Sequence, residues 1–378
     1  MSVGGRVPWA VRAPVRRARN AASQAILVAR QRSRWRAIAQ TPVRLGAPAV
    51  SYGVDAMPAE SEVVFGGAVK LQMLDRRFPN APRDFNVLYL ASSAMPLDAG
   101  ALAGLARRRG AAFVWNQDGV AYRGWYGDGW ELVNRPHARL LHEADHVLYQ
   151  SEFCKLAADR FYGERSGPSE VVYNPVDTHA FTPASERPRR PLTLLLGGNQ
   201  YQRYRFECAL ETIALVRRER PDARLLIAGA LSFAAEAEQV ARALIRRLRL
   251  DDAVELLGPY TQADAPDVVR RADILLHTKY NDPCPTTVLE AMACGLPVVY
   301  SASGGTPELV GPDAGVGIDA PLDWDRDHPP DPRELARAVV TVSRDLDARA
   351  AAARERSLRF DADAWLERHR EIFERLAR

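Results

Sequence analysis

The chain has 378 residues, 47% of them hydrophobic and 26% charged, with a formal net charge of +4. That length exceeds one ordinary core and suits two α/β domains of comparable size, and no apolar run approaches the roughly 20 residues of a membrane span. The cysteines, Cys154, Cys208, Cys284 and Cys294, have neither C-x-x-C spacing nor the density of a disulfide scaffold, which argues against a zinc site and fits reduced thiols in a cytoplasmic protein.

Residues 1–45 read as a basic arm. Within the first 50 residues stand ten arginines and no acid, a local +10 against the chain's +4, which leaves −6 for the remainder. Projected on a helix, Arg12, Arg16, Arg19, Arg30 and Arg34 share a face, but Ile26 and Leu27 lie close to it, so the helix is basic rather than cleanly amphipathic. The apolar run AILVA is too short for a secretory signal. Two readings stay open: a solvated arm, or a contact with anionic lipid headgroups that would hold the protein at a membrane surface, each arginine contributing about 1 kcal/mol there. Nucleic acid is not expected, because aromatic residues are sparse among these arginines.

From residue 46 strand-like apolar runs alternate with helical stretches, the pattern of doubly wound parallel sheets. AVSYG, FNVLYLASS, AAFVWNQ, HVLYQS and EVVYNPV are the expected strands of a first domain, 46–182. LTLLLGG, RLLIAGA, AVELLG, DILLHT and LPVVYS are those of a second, 191–360. The segment DTHAFTPASERPRRP between them has no apolar period and reads as a linker. The last segment, 361–378, opens on an aspartate cap and spaces Trp365, Ile372, Phe373 and Leu376 along one helix face, so it needs a surface to dock on. Ligands of such sheets bind at the carboxyl ends of the strands, here in the crevice between the domains.

Three glycine-bearing junctions fall at strand-to-helix positions. Gly66 and Gly67 in VVFGGAVKLQML open a helix whose free N–H groups suit an anion or a plain turn. In LLLGGNQYQRYRF, Gly197 and Gly198 end a strand and Asn199, Arg203 and Arg205 follow, and guanidinium groups beside a glycine turn suit a phosphate. The third is NDPCPTTVLEAMACGLPVVYSASGGTPELVG. Pro285 fits a first helical turn, Gly295 a helix stop and Pro297 the next strand, so the spacing predicts a helix over 285–294. Its first amides, near Thr286 and Thr287, have no partner inside the helix. Side chains tilt toward a helix's N-terminus, which leans Glu290 back to the same end. Amide donors and a carboxylate at one place suit a ribose attached to a diphosphate, with Asp282 in the preceding loop free for the hydroxyls of a sugar beyond it. Gly304 and Gly305 offer a second close approach of backbone to phosphate. The D-x-D matches in DWDRD (323–327) and DAD (361–363) read as caps, and His137, His142 and His146 as members of an exposed helix face. No metal ligands are expected.

The stretch DPCPTTVLEAMACGLPVVYSASGGTPELVG resembles the signature of the family 4 retaining glycosyltransferases, in which an acid, seven residues and Glu precede an A-M-A-x-G-x-P-V-V run; here these are Asp282 and Glu290. VVYNPVDTHAFTP, ALETIALVRRERPDARLLIAG and FGGAVK extend the similarity over roughly 48–320. It implies the GT-B fold: two Rossmann-like doubly wound domains facing each other across a cleft, with the C-terminal helix packing back on the N-terminal domain. It also implies transfer of a hexose-type sugar, with retention and without a metal, from a nucleotide-diphosphate sugar held by the second domain to a glycan, lipid-linked or small-molecule acceptor held by the first. No cofactor is implied, the nucleotide sugar being substrate. Carried over by position, Gly66, Gly67, Gly198, Asn199, Pro285, Thr286, Thr287, Val288 and Glu290 bind the donor, Glu290 at the ribose. Asp282 holds the transferred sugar, and Arg203 or Arg205 the departing diphosphate. The sequence departs from the pattern in carrying Asp rather than Glu at 282. It also lacks the G-R and K-G pairs that usually follow the strand at 194–198. The family's first-domain histidine has no clear counterpart, and Asp118 is the nearest candidate to touch the reacting sugar or the acceptor. Trp115, Tyr122, Trp125, Tyr126 and Trp130 offer rings for sugar stacking or for the core. A GT-B epimerase, which would need acid and histidine catalysts in the first domain, and a noncatalytic nucleotide-sugar-binding scaffold are the alternatives.

Overall fold

The computed structural model describes residues 31–59, 62, 66–185 and 191–377. Two parallel sheets organise them. The first runs β1 (Val50–Ser51), β2 (Val87–Ala91), β3 (Ala112–Gln117), β4 (His146–Tyr149) and β5 (Ser169–Val171) in that spatial order. The second contains β6 (Thr193–Leu196), β7 (Arg224–Ala228), β8 (Val254–Gly258), β9 (Ile274–His277), β10 (Val298–Ala302) and β11 (Gly315–Asp319), ordered β11-β10-β9-β6-β7-β8. Its strand order reverses between β6 and β9, and the loops leaving those two strands border the crevice at that switch point. All ten expected strands are present. The eleventh, β11, escaped sequence reading because GVGID offers little apolar signal. Glycine is required there: a Cβ on Gly315 would sit 2.1 Å from the Val298 carbonyl oxygen of β10.

Helices cover both faces of each sheet. On the first, α1 (31–40), α3 (Ala99–Arg108), α5 (Trp130–Glu143) and α6 (Glu152–Tyr162) share a core with Leu88, Leu90, Phe113 and Trp115. The opposite face is closed by α2 (Gly67–Arg77) and by the last helix of the chain. A short helix, α4 (Arg123–Tyr126), follows β3. The second sheet packs α7 (Arg203–Val216), α8 (Ala237–Arg247) and α12 (Pro332–Arg344) on one side. On its other side lie α9 (Ala265–Arg270), α10 (Thr286–Ala293), α11 (Thr306–Val310) and α13 (Leu346–Ser357). The final helix, α14 (Ala362–Leu376), returns to the first sheet, burying Trp365, Ile372 and Phe373 against Val50, Tyr52, Leu71 and Tyr89. Asp361 caps it by accepting from the Asp363 amide, the role expected of DAD.

Two segments differ from expectation. Residues 31–45 of the expected arm are docked on the first sheet's helices: Ile38 is fully buried, Trp35 Nε1 donates to Asp98 at 2.9 Å, and Arg34 pairs with Asp98 and Asp55 at 3.3 and 3.1 Å. Arg12, Arg16, Arg19 and Arg30 of the proposed basic face lie outside the described residues. His146 is not on an exposed helix face. It opens the expected strand HVLYQS and is buried in β4, its Nε2 2.9 Å from Glu170 Oε1, because the neighbouring strand β5 brings that carboxylate beside it. His137 and His142 do lie on α5.

Candidate functional site

The carboxyl ends of both sheets face one cleft of about 540 Å³, lined from the first half by Gly66, Gly67, Lys70, Ser93, Asp118, Tyr122 and Trp125. The second half supplies Gly198, Asn199, Tyr201, Arg205, His277, Lys279, Asp282, Pro285, Thr286 and Thr287. A side chamber of about 130 Å³ continues between Gly66, Gly198, Asn199, Tyr260, Thr286, Thr287 and Glu290. The two spaces share the start of α10, so whatever fills both lies across that helix end.

The helix start is open because Pro285 at its N-cap offers no side-chain acceptor. Its first amides and the positive end of its dipole are therefore left to a ligand. Gly198, at φ +79°, makes the turn beside it, and a Cβ on Gly229 would meet the Gly198 carbonyl oxygen at 2.4 Å. That contact fixes the β6 loop, where Asn199 Oδ1 accepts from the Ala230 amide at 3.0 Å. Glu290, one turn into α10, is buried, and loss of water pushes its carboxyl up to about 8, so it is protonated near neutral pH.

Asp282 is held from three directions. Burial by itself would raise its carboxyl, but Lys279, His277 and Arg205 outweigh burial and hold it well below the usual carboxylate range. Lys279 Nζ is 3.2 Å from Asp282 Oδ2 and 5.5 Å from the centre of the Tyr201 ring. His277 Nε2 stands 3.3 Å from the same oxygen without hydrogen-bond alignment, and burial lowers its imidazole toward the neutral form. Gly304 and Gly305 do not line the cleft, contrary to expectation. A Cβ on Gly304 would lie 2.4 Å from the Asp282 carbonyl oxygen and one on Gly305 2.0 Å from that of Pro283, so these glycines allow the β10–α11 turn to press on the loop that carries Asp282.

In the first half, Asp118 is fully engaged. Its carboxylate pairs with Lys70 and accepts from the Ser93 hydroxyl and, at 3.1 Å, from the Ser93 amide. Lys70 also donates to Asn116 at 2.6 Å and Gln150 at 3.4 Å, and Ser93 Oγ accepts from the Gly67 amide at 2.9 Å. Asp118 thus borders the cleft while its oxygens are directed into a network that fixes the Gly66–Gly67 turn. The two halves are tied beside the cleft. Glu308 accepts from the Glu152 and Phe153 amides at the start of α6, at 2.9 and 2.8 Å. Trp324 packs on Tyr122, Phe153 and Phe161 at centroid distances of 5.1, 5.4 and 5.3 Å.

Of the donor residues expected from sequence, Gly66, Gly67, Gly198, Asn199, Asp282, Pro285, Thr286, Thr287 and Glu290 come together around these two chambers. Val288 does not: it is fully buried in the core beneath α10. Arg203 does not either, lying on the outer face of α7 with Nε 2.8 Å from Glu207, whereas Arg205 is buried and faces the cleft. Among the aromatics, Tyr122 and Trp125 reach the cleft, Trp115 is core, and Tyr126 and Trp130 lie outside it. Sequence reading missed Lys70 and Lys279. Their only signals were a lysine one turn beyond Gly66-Gly67 and a K-x-x-D leaving β9. Among the described residues no cluster of three or more His, Cys, Asp or Glu is placed to hold a metal, and no helix is long and apolar enough to cross a membrane.

Comparison with known proteins places this geometry. Over 81% of its length the chain superposes on Anabaena HepE solved with UDP, covering 82% of that chain with a TM-score of 0.62 at 20% identity. Sucrose-phosphate synthase from Thermosynechococcus elongatus superposes over 82% of this chain and 76% of its own, with a TM-score of 0.61 at 19% identity. The fold is GT-B. Within this GT-B chain, residues 180–326 match the family of glycosyl transferases group 1. D-inositol 3-phosphate glycosyltransferase of Mycobacterium sp. (strain JLS) is 29% identical over 187 residues, 46% of this chain and 40% of that protein. The same enzyme of Pseudarthrobacter chlorophenolicus is 32% identical over 159 residues, 39% of this chain and 37% of that protein. The GT-B chain thus spans about 40% of the length of these relatives.

Proposed function

We propose that the protein is a retaining glycosyltransferase that moves a hexose-type sugar from a nucleotide-diphosphate sugar to a glycan, lipid-linked or small-molecule acceptor. The observation that carries this reading is the uncapped start of α10, with Arg205 beside it, a buried carboxyl at Glu290 on one side and the Asp282 carboxylate on the other. The match of residues 180–326 to glycosyl transferases group 1 supports it. In this arrangement the ribose hydroxyls meet Glu290 in the smaller chamber, the diphosphate meets the amides of Thr286 and Thr287, and the sugar hydroxyls meet Asp282. As the bond from the sugar to the diphosphate breaks, its electron pair leaves with the phosphate oxygen, where fixed donors stabilise the developing charge most. Attack by the acceptor hydroxyl on the same face, with its proton passing to the departing diphosphate, completes the reaction without a protein nucleophile and without a resident cofactor or metal. The acceptor enters from the first half, past Tyr122 and Trp125.

Incubating the protein with a panel of radiolabelled nucleotide sugars tests the reading. Hydrolysis or transfer of one of them is the expected result, and Glu290→Ala should abolish most of it. Ordinary nucleotide-sugar affinity with no turnover under any acceptor would leave a binding scaffold instead.

A further inference from the structure

The chain lacks a basic residue directly after Gly198, and Arg203 points away from the cleft on α7. A departing diphosphate nevertheless carries more charge than Arg205 balances. The cleft contains two lysines, and their partners separate them. Lys70 divides its three protons among Asn116, Asp118 and Gln150, so its charge is committed to the first half. Lys279 has a carboxylate on one side, the face of Tyr201 on another, and the open cleft beyond. It projects from the loop that leaves β9, on the same wall as Arg205 and the start of α10. Arg205 keeps a buried Nε with no partner while its Nη1 donates to the Asn199 carbonyl oxygen at 2.9 Å.

We propose that Lys279 is the second cation on the departing diphosphate, acting with Arg205, and that Asp282 holds it until a donor arrives. This rests on the nucleotide-sugar reading above. Donor binding exchanges partners: the ammonium of Lys279 moves from the Asp282 carboxylate to a β-phosphate oxygen, and Asp282 is released to accept from the sugar hydroxyls. In the exchange the ammonium passes from one anion to another and the Asp282 carboxylate replaces it with hydroxyl donors, so neither group is left without a polar partner, which matters because an unsatisfied charge in a closed cleft is costly. When the bond to the sugar breaks, the electron pair and the added negative charge settle on the phosphate oxygen that Lys279 contacts. The pairing of Asp at 282 with Lys at 279 is then one device. The shorter acid reaches back to the lysine three residues earlier in the same loop.

Calorimetric titration with UDP and UMP, with ADP, AMP, GDP and GMP in parallel, tests the proposal. Wild-type protein should bind one diphosphate more tightly than its monophosphate. Lys279→Met should lower affinity for that diphosphate by about tenfold or more while leaving the monophosphate unchanged, which also reports an intact fold; Lys279→Arg should restore the preference. Asp282→Asn, by releasing Lys279, should bind the diphosphate more tightly than wild type even as sugar transfer falls. A Lys279→Met protein that keeps the wild-type preference for diphosphate over monophosphate overturns the assignment of Lys279. Unchanged or weaker diphosphate binding in Asp282→Asn overturns the exchange. Wild-type protein that binds none of the diphosphates overturns the nucleotide-sugar reading itself, and this inference with it.

Discussion

Each half of the molecule sets a lysine and an aspartate at the cleft, and the two pairs behave differently. Lys70 and Asp118 are both about 5% exposed and are closed by Asn116, Gln150 and both donors of Ser93. Lys279 and Asp282 have each other, an unaligned imidazole, an aromatic ring and open space. A closed pair fixes structure, because every ammonium proton and both carboxylate oxygens already have partners; an incomplete pair can exchange partners with a ligand. The first half therefore supplies a rigid wall and the second the responsive chemistry.

The comparison breaks most readily at Lys70. Lys70→Met leaves the Asp118 carboxylate buried without its counter-charge and should lower the unfolding free energy by about 3–5 kcal/mol, read by urea denaturation; a variant as stable as wild type would show that the network does not hold the Gly66–Gly67 turn. Arg205→Gln acts on the other side. It should reduce kcat/KM for the nucleotide sugar by about 100-fold with a thermal midpoint close to wild type, and the reverse outcome, lost stability with preserved turnover, would place Arg205 in the wall instead.

A different kind of effect is expected at Glu290, read as a pH dependence. An unfolded glutamate ionises near its ordinary 4.5 and the folded Glu290 at about 8, so between these values the folded chain holds the additional proton and stability falls as pH rises. Glu290→Gln removes that dependence, and its thermal midpoint should gain on wild type steadily across the window. Parallel midpoints would mean that the carboxyl is solvated. The smallest change belongs to Arg203. Its exposed pair with Glu207 contributes little, so Arg203→Ala should shift stability by less than about 0.5 kcal/mol and leave turnover unaltered; a large loss of turnover would bring α7 back into the site.

The two arginines show why part of the site was legible in sequence and part was not. Residues two apart on a helix lie about 200° apart around its axis, so Arg203 and Arg205 cannot both face the cleft, but the local sequence does not say which one does. The packing of α7 on its sheet decides it: Phe206, Ala209 and Ile213 are buried, and Arg205 beside Phe206 is carried inward while Arg203 turns out. Val288 was misplaced for the same reason, its neighbours Thr286 and Thr287 facing the cleft and Val288 the core. Asp118 borders the cleft, but the partner that engages its carboxylate is Lys70, 48 residues earlier in the chain.

What the sequence by itself determined was local: ten strands from their apolar runs, the span of α10 from Pro285 and Gly295, its open N-terminus, and the docking face of α14. These follow from periodicity and turn chemistry, which act over a few residues. The tertiary structure alone decided that Lys70 and Lys279 join the cleft, that Arg205 rather than Arg203 faces it, and which of its polar side chains are closed into a network and which remain open. It also decided that His146 is buried beside Glu170 rather than exposed, and that GVGID forms a strand against β10. Those outcomes depend on groups brought together from distant parts of the chain, and burial and pairing are properties of that assembly rather than of any segment within it.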